Sequence, residues 1–206
     1  MPATPAGREG NVRARAGRLA GSYSALTTRA ALEAVRWRWA TPSSGYGFAE
    51  PLRLERMGCS PGDWLEGPPL GLEHEAIGFD ASDRVVWVRQ HDATGEIWLE
   101  RFARWSAGEV EVACFSTLPA RLQCVTLVRL AGGVPVESER YLPPTGSGCR
   151  ERYEYERGRL ARVVEEGGTV VKEIVYGADG RVAGVDALEA GLRRAVWRAS
   201  VAATQG

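Results

Sequence analysis

One short phrase is written twice between Glu151 and Val185, and it limits the possible folds more than any other feature of the chain. In each copy a tyrosine ends a charged stretch, a Gly-Arg pair closes a tight turn, and an aliphatic residue follows. The copies are Tyr155…Gly158-Arg159-Leu160 and Tyr176…Gly180-Arg181-Val182. Glycine supplies the positive φ that a hairpin turn needs, and the aliphatic residue begins the return strand. The phrase therefore predicts consecutive β-hairpins.

Looser copies of the phrase lie upstream. They are Phe79…Asp83-Arg84-Val85, His91…Gly95-Glu96-Ile97 and Phe102…Gly108-Glu109-Val110. Turns this short require antiparallel neighbours, because a parallel connection needs a dozen or more residues. Residues 73–185 are therefore predicted to form about ten strands in an antiparallel meander, which is either strongly twisted or curled into a half-barrel.

Two segments of this region, Val85–Val88 and Cys124–Val128, are apolar on both strand faces and need cover on the second side. Two helices are predicted to supply it. The first spans residues 22–40, with Leu32, Val35 and Trp39 as its apolar stripe. The second spans residues 186–203, where Asp186 and Glu189 have the spacing of a capping box. The predicted fold class is mainly β (α+β), with one N-terminal and one C-terminal helix packed on the sheet.

The remaining segments are predicted to be irregular. Residues 1–21 contain almost no large apolar side chains, which is typical of a flexible arm, and residues 22–206 are expected to form a single domain. Residues 41–72 are a Pro/Gly-rich loop segment with one short edge strand at Leu52–Glu55. Tyr46, Phe48 and Trp64 are the aromatic residues expected to anchor that segment.

Composition excludes several classes of function. Lys and Arg total 26, and Asp and Glu also total 26, so the net charge indicates neither nucleic-acid nor membrane binding. The four cysteines form no Cys-x-x-Cys pair and only two histidines are present, so neither a structural zinc nor any other cofactor is expected. With no signal-like segment visible, we expect a cytoplasmic protein with reduced thiols.

Residues that could perform catalysis are sparse. The chain has no Gly-x-Ser-x-Gly elbow, phosphate-binding loop or dinucleotide fingerprint. His74 is expected to be an ordinary exposed residue, and Asp92 is expected to cap a turn after His91. Cys114 and Cys124 could face each other across a hairpin as buried structural thiols. A non-enzymatic function is therefore favoured, although an enzyme with an unrecognised site remains an alternative.

Two segments match a known repeat pattern, roughly Tyr-Asp-x-x-Gly-Arg-Leu/Val, two residues, then Val or Ile. YGADGRVAGV, from Tyr176, departs from it at Gly177, and FDASDRVVWV departs at Phe79 and Asp83. The chain thus resembles the YD repeats of Rhs and teneurin-type proteins. The resemblance implies β-hairpin repeats without catalytic residues. Five or six turns are too few for the shell that long arrays build, so the chain looks more like the β-rich immunity proteins and antitoxins that accompany polymorphic toxins.

A cluster of tryptophan and arginine marks the predicted partner-binding surface, because both residue types are enriched at binding hot spots. Its members are Arg84, Trp87, Arg89, Trp98, Arg101, Arg104 and Trp105. The competing interpretation is that the tryptophans fill the core of a curved sheet and the arginines are solvated. The sequence thus predicts a protein-binding module, of the immunity or antitoxin type, that neutralises a toxin or effector. The alternative is a barrel or half-barrel carrier whose apolar cavity is lined by Trp87, Trp98 and Leu127.

Overall fold

A computed structural model describes residues 5–42, 49–60, 62–166 and 170–199, and its main feature is one antiparallel sheet of thirteen strands. The strands are Arg36–Ala40 (β1), Trp64–Leu65 (β2), His74–Phe79 (β3), Val85–His91 (β4), Ile97–Trp105 (β5), Glu109–Thr117 (β6), Ala120–Ala131 (β7), Val134–Leu142 (β8), Ser147–Glu156 (β9), Arg159–Glu165 (β10), Val170–Tyr176 (β11), Val182–Glu189 (β12) and Leu192–Arg198 (β13). The helices are Pro5–Leu19 (α1), Tyr23–Glu33 (α2) and Arg53–Arg56 (α3).

The sheet is a meander that does not close. From β3 to β13 each strand pairs with its neighbours in sequence, while β1 and β2 add to the free side of β3. The predicted antiparallel meander is confirmed, but it has thirteen strands rather than about ten. The three additional strands are β1, β2 and β13, all of which lie outside the stretch that was predicted to be β-structure.

The predicted C-terminal helix over residues 186–203 is wrong where the structure describes the chain, because this segment forms the end of β12 and all of β13. Ala190 and Gly191 join the two strands with φ values of 48° and 81°. Two successive positive φ angles are what a two-residue hairpin loop of type I′ requires. Asp186 is therefore a strand residue rather than a helix cap, and it pairs with Arg193 and Arg198 of β13.

The N-terminal helix predicted for residues 22–40 is half correct. Helix α2 ends at Glu33, and the chain then continues as β1 in register with β3, where Trp37 pairs with Gly78. Two residues of the predicted apolar stripe, Leu32 and Val35, are 80% and 66% exposed. Pairing of the aromatic run Arg36–Ala40 with β3 thus prevails over the helical spacing.

Residues 1–21 were predicted to form a flexible arm, yet Pro5–Leu19 is helical and packs on β7 and β8. Val12 and Ala16 lie one turn apart and are both buried in the core. Arg15, on the same helix, binds Glu109 at 2.5 Å and Glu111 at 3.0 Å. The short side chains of Val12 and Ala16 let the helix pack closely on the sheet. The ion pairs of Arg15 add contacts that hydrophobicity alone does not predict.

The Pro/Gly-rich segment also differs from its prediction. Leu52–Glu55 is not an edge strand, because Arg53–Arg56 forms the short helix α3. Trp64 does act as an anchor: it lies in β2, packs against Phe79 and carries the Arg38 guanidinium 3.6 Å above its ring. Tyr46 and Phe48 lie outside the described residues.

Three turns share one hydrogen-bond pattern. At 80–84, 92–96 and 177–181 the first amide donates to the fifth carbonyl, and the fourth amide donates to the first carbonyl. The fourth residue has positive φ in each, namely 63° at Asp83, 88° at Gly95 and 76° at Gly180. Asp80 and Asp92 cap their turns by accepting two backbone amides each. These three copies of the phrase therefore build the same local structure.

The sheet has two covered faces. The helix face lies under α1 and α2, and its core includes Trp87, Phe102 and Phe115. The opposite face is crossed by α3 and is called here the α3 face. It carries a core of small and branched residues around Val88 and Val128, and a second core around Tyr153 and Val163.

Charge dominates the helix face beyond α1. Acidic and basic side chains alternate across neighbouring strands, in the pairs Arg129–Glu137, Glu137–Arg150, Arg162–Glu173, Glu173–Arg193 and Asp186–Arg198. Opposite charges on adjacent strands stabilise the pairing. The charges on this part of the surface therefore neutralise one another. Within the described chain, none of the helices has the length and apolar character needed to cross a membrane.

Candidate partner-binding surface

The three tryptophans of the predicted surface occupy three different environments. Trp87 is only 2% exposed and its Nε1 donates to Glu100 at 3.0 Å. Trp105 is half-buried on the α3 face, where its Nε1 donates to the Val85 carbonyl at 2.8 Å. Trp98 is 48% exposed. The first two are thus anchored in the fold, and Trp98 alone of the three presents its ring to solvent.

The arginines divide in the same way. Arg89 lies 3.7 Å above the Trp87 ring and donates from Nε to Glu100, so it belongs to the packed helix face. Arg101 points to the α3 face and binds Glu75 at 2.7 Å. Arg84 pairs with Asp80 inside its turn, at 2.7 Å. The contacts of Arg89 and Arg101 are internal to the fold, whereas the Arg84 side chain stays 46% exposed.

Arg104 is the most exposed of the four arginines. Its side chain is 62% exposed, and its one described ion pair is with Glu111 at 3.3 Å. Trp98 and Arg104 are an even number of residues apart on β5. Side chains spaced in this way lie on the same face of a strand, so both lie on the helix face of the sheet. The accessible members of the predicted seven-residue surface are therefore Trp98, Arg104 and Arg84.

Trp98 lies at one end of the sheet with two other exposed apolar residues. Leu72 lies two residues before β3 and is 64% exposed, and Leu118 in the β6–β7 turn is 76% exposed. The Thr117 hydroxyl donates to the Ile97 carbonyl and so ties this turn to the start of β5. We call Leu72, Trp98 and Leu118 the Trp98 end. The three residues share this end of the sheet because β3 and β5 begin here and β6 ends here.

Glu100 is a buried charge that the sequence analysis did not single out. Its side chain is 4% exposed and accepts from the Tyr23 hydroxyl, from Trp87 Nε1 and from Arg89 Nε. Burial, and then the hydrogen bond to Glu100, raise the pKa of Tyr23 to about 12. The sequence feature that could have indicated its burial is its position between Trp98 and Phe102, on the apolar face of β5. The network joins α2 to the sheet and is fully internal.

The residues considered for catalysis show no convergent site. Cys114 and Cys124 are opposite each other in register on β6 and β7, as the sequence predicts. Burial raises the pKa of Cys114 to about 11 and also raises that of Cys124, so both thiols stay protonated at neutral pH. Within the described ranges, no group of three or more His, Cys, Asp and Glu side chains is placed to hold a metal ion.

His74 does not match its prediction as an ordinary exposed residue. It is 6% exposed and lies in register with His91 on the neighbouring strand. Asp92 does cap the turn that follows His91, as predicted, because its carboxylate accepts the Thr94 and Glu96 amides.

An open cleft of about 730 Å³ lies over β9–β11. Its lining includes Leu160, Ile174 and Tyr176 beside the charged Glu156 and Arg159. The Tyr176 hydroxyl donates to the Leu160 carbonyl at 3.0 Å, and the Arg159 guanidinium stacks over the Tyr176 ring at 5.4 Å. These contacts hold the two best copies of the repeated phrase against each other, so the polar groups of Arg159 and Tyr176 at the edge of the cleft are already paired.

No protein-family model matches the chain, and no curated protein matches it either.

Proposed function

We propose that this protein is a non-enzymatic protein-binding module that contacts its partner through the Trp98 end. The observation that carries the proposal is the state of Trp98. Its ring is 48% exposed, whereas Trp87 and Trp105 are fixed by hydrogen bonds within the fold. A large aromatic ring held at the end of a rigid strand loses little conformational freedom on binding, which is why tryptophan is enriched at hot spots.

The kind of partner follows from the resemblance to YD repeats. Three copies of the phrase build turns with the same hydrogen bonds, which supports treating them as one repeated unit. We infer that the protein is an immunity or antitoxin-like module that binds and neutralises a toxin or effector in the cytoplasm. A strong twist of the open sheet would leave the turns at its end accessible to such a partner.

The carrier hypothesis has less support. It requires Trp87, Trp98 and Leu127 to line one apolar cavity. Trp87 and Leu127 are each 2% exposed and belong to the core beneath the helices, while Trp98 is at the surface. The three side chains therefore do not surround a common space.

The proposal is tested by measuring partner binding with variants of the Trp98 end. The partner would be captured from the native host or supplied as the product of an adjacent toxin-like gene. Replacing Trp98 with alanine should weaken binding by at least about tenfold, since hot-spot truncations cost roughly 2 kcal/mol or more. The melting temperature should change little, because the ring is half exposed.

Val134→Ala is the matched control. Val134 is an exposed apolar residue that begins β8, at the opposite end of the sheet from Leu118. Its loss should leave the affinity unchanged. Arg101→Glu is unsuitable as a binding test, because Arg101 pairs with Glu75 inside the fold. Equal affinity for the partner in wild type and Trp98→Ala would refute the proposed surface.

A further inference from the structure

The only two histidines of the chain face each other across neighbouring strands. His74 begins β3 and pairs in register with His91, which ends β4. Their imidazole rings are stacked, with centroids 4.5 Å apart and planes inclined by 3°. His74 is 6% exposed, so this pair is built into the sheet rather than displayed on mobile side chains.

Each ring is oriented by a hydrogen bond to a backbone carbonyl. Nδ1 of His74 lies 3.1 Å from the Leu72 oxygen, and Nδ1 of His91 lies 3.1 Å from the Gly95 oxygen. A carbonyl oxygen can only accept, so both Nδ1 atoms must carry the proton. In a neutral imidazole with a protonated Nδ1, Nε2 keeps its lone pair. The fold thus selects the same tautomer in both rings.

The two carbonyls also give the rings a common direction. Leu72 precedes β3 and Gly95 follows β4, and because the strands are antiparallel, both residues lie beyond the same end of the pair. Stacked rings whose Nδ1 atoms point the same way have Nε2 atoms that also point the same way. Two unprotonated nitrogens are therefore presented side by side.

We propose that His74 and His91 form a two-ligand site for a late first-row divalent cation, with Cu²⁺ bound most tightly. Histidines that ligate metals almost always donate the other ring N–H to a carbonyl or carboxylate, as both do here. Imidazole nitrogen suits Cu, Ni and Zn, and divalent affinity peaks at Cu²⁺.

Closing such a site needs both rings to turn. Metal–imidazole bonds of about 2.0–2.1 Å lie in the plane of each ring. The two planes are parallel here, so the rings must rotate out of the stack until both Nε2 atoms face one ion. Since no third described ligand converges on the pair, the remaining coordination positions are open to water or to a donor from another molecule.

The site is tested with Cu²⁺ alone, on untagged protein in a Cys59→Ser, Cys149→Ser background. Both of these thiols are exposed and would otherwise bind or reduce the ion. Calorimetry should give one Cu²⁺ per chain, and electron paramagnetic resonance should show hyperfine splitting from two nitrogens. His74→Gln and His91→Gln should each weaken binding by at least about tenfold, because even outer-shell changes cost that much at metal sites.

Glu96→Gln is the matched control, since Glu96 is an exposed carboxylate next to Gly95 and should not contribute to affinity. Nitrogen-detected NMR of the metal-free protein should show a protonated Nδ1 in both rings. Binding that survives the double substitution of both histidines would refute the site. So would a spectrum with fewer than two nitrogen ligands, or an Nε2-protonated tautomer in either ring.

Discussion

At the scale of single residues, Glu100 decides how the helix face is organised. A carboxylate that is 4% exposed is costly to bury unless its oxygens are satisfied, and here a tyrosine, a tryptophan and an arginine all donate to it. The sequence predicted Trp87 and Arg89 as binding residues because their types are common at interfaces. The same chemistry serves a buried carboxylate equally well, and composition alone cannot separate the two uses.

Tyr23→Phe tests this network. The change leaves the ring contacts with Phe102 and Phe115 in place but removes one donor to a buried charge. Stability at neutral pH should fall by about 1.5–3 kcal/mol, the usual contribution of a hydrogen bond to a charged group. Urea unfolding followed by fluorescence measures the loss. Tyr155→Phe is the control, because no described residue bonds to that hydroxyl, and it should be close to neutral.

Tyr23→Phe should also change how the stability of the fold responds to alkaline pH. A tyrosine whose folded pKa is raised from 10.0 to about 12 favours the folded state fully below pH 10, and that stability is lost as the pH rises toward 12. Wild type should therefore lose stability between pH 9 and pH 11.5, and Tyr23→Phe should lose less. An identical slope in both proteins would contradict the assigned role of Tyr23.

At the scale of elements, the predictions succeeded where the turn chemistry was explicit and failed at both ends of the chain. Strands β3–β12 follow from glycine or aspartate turns at short intervals. At the C-terminus the spacing of Leu188, Leu192 and Val196 fits a helix, but Val185 and Ala187 alternate with Asp186 and fit a strand equally well. Short segments often satisfy both periods, and pairing with β11 decides between them.

Gly191→Ala distinguishes a hairpin from a helix in this segment, because the change in stability has opposite signs in the two conformations. In the β12–β13 turn Gly191 has a φ of 81°, so alanine should destabilise this hairpin by about 1–2 kcal/mol. In a helix the same change would stabilise by about 1 kcal/mol. Hydrogen exchange of the amides in residues 182–198 would show whether the variant is less or more stable than wild type in this segment. Gly108→Ala is the control, since Gly108 lacks positive φ and a Cβ there meets open space.

At the scale of the whole molecule, a meander joins each strand mainly to its sequence neighbours, so distant strands need another connection. Residues 49–60 provide one on the α3 face. Glu50 binds Arg140 of β8 at 2.5 Å, and Arg56 binds Glu151 of β9 at 2.6 Å. Ser60 accepts a hydrogen bond from Trp197 of β13. The sequence predicted only an irregular segment here, because no local pattern reveals which distant strands a loop will contact.

Arg56 is the centre of this connection, and its removal should strongly destabilise the fold. The side chains of Arg56 and Glu151 are 2% and 12% exposed, and the guanidinium also lies 5.6 Å from the Tyr153 ring. Breaking a buried pair leaves an uncompensated charge, so Arg56→Met should cost about 3–5 kcal/mol. The exposed pair Arg162–Glu173 is the control, where Arg162→Met should cost about 0–1 kcal/mol.

Two further measurements separate the ion pair from the packing of α3. Adding Glu151→Gln to Arg56→Met should recover part of the lost stability, because the buried charge is then gone. Burial opposes ionisation of Glu151, but the charge of Arg56 outweighs it and lowers the pKa of that carboxyl. The pair therefore stabilises the fold above the ordinary glutamate pKa and ceases to do so as the pH falls through the lowered one. Acid unfolding followed by circular dichroism should show a steeper loss below about pH 4 in wild type than in Arg56→Met. If the double variant is no more stable than Arg56→Met and both proteins respond alike to acid, then residues 49–60 hold the distant strands through packing rather than through this charge.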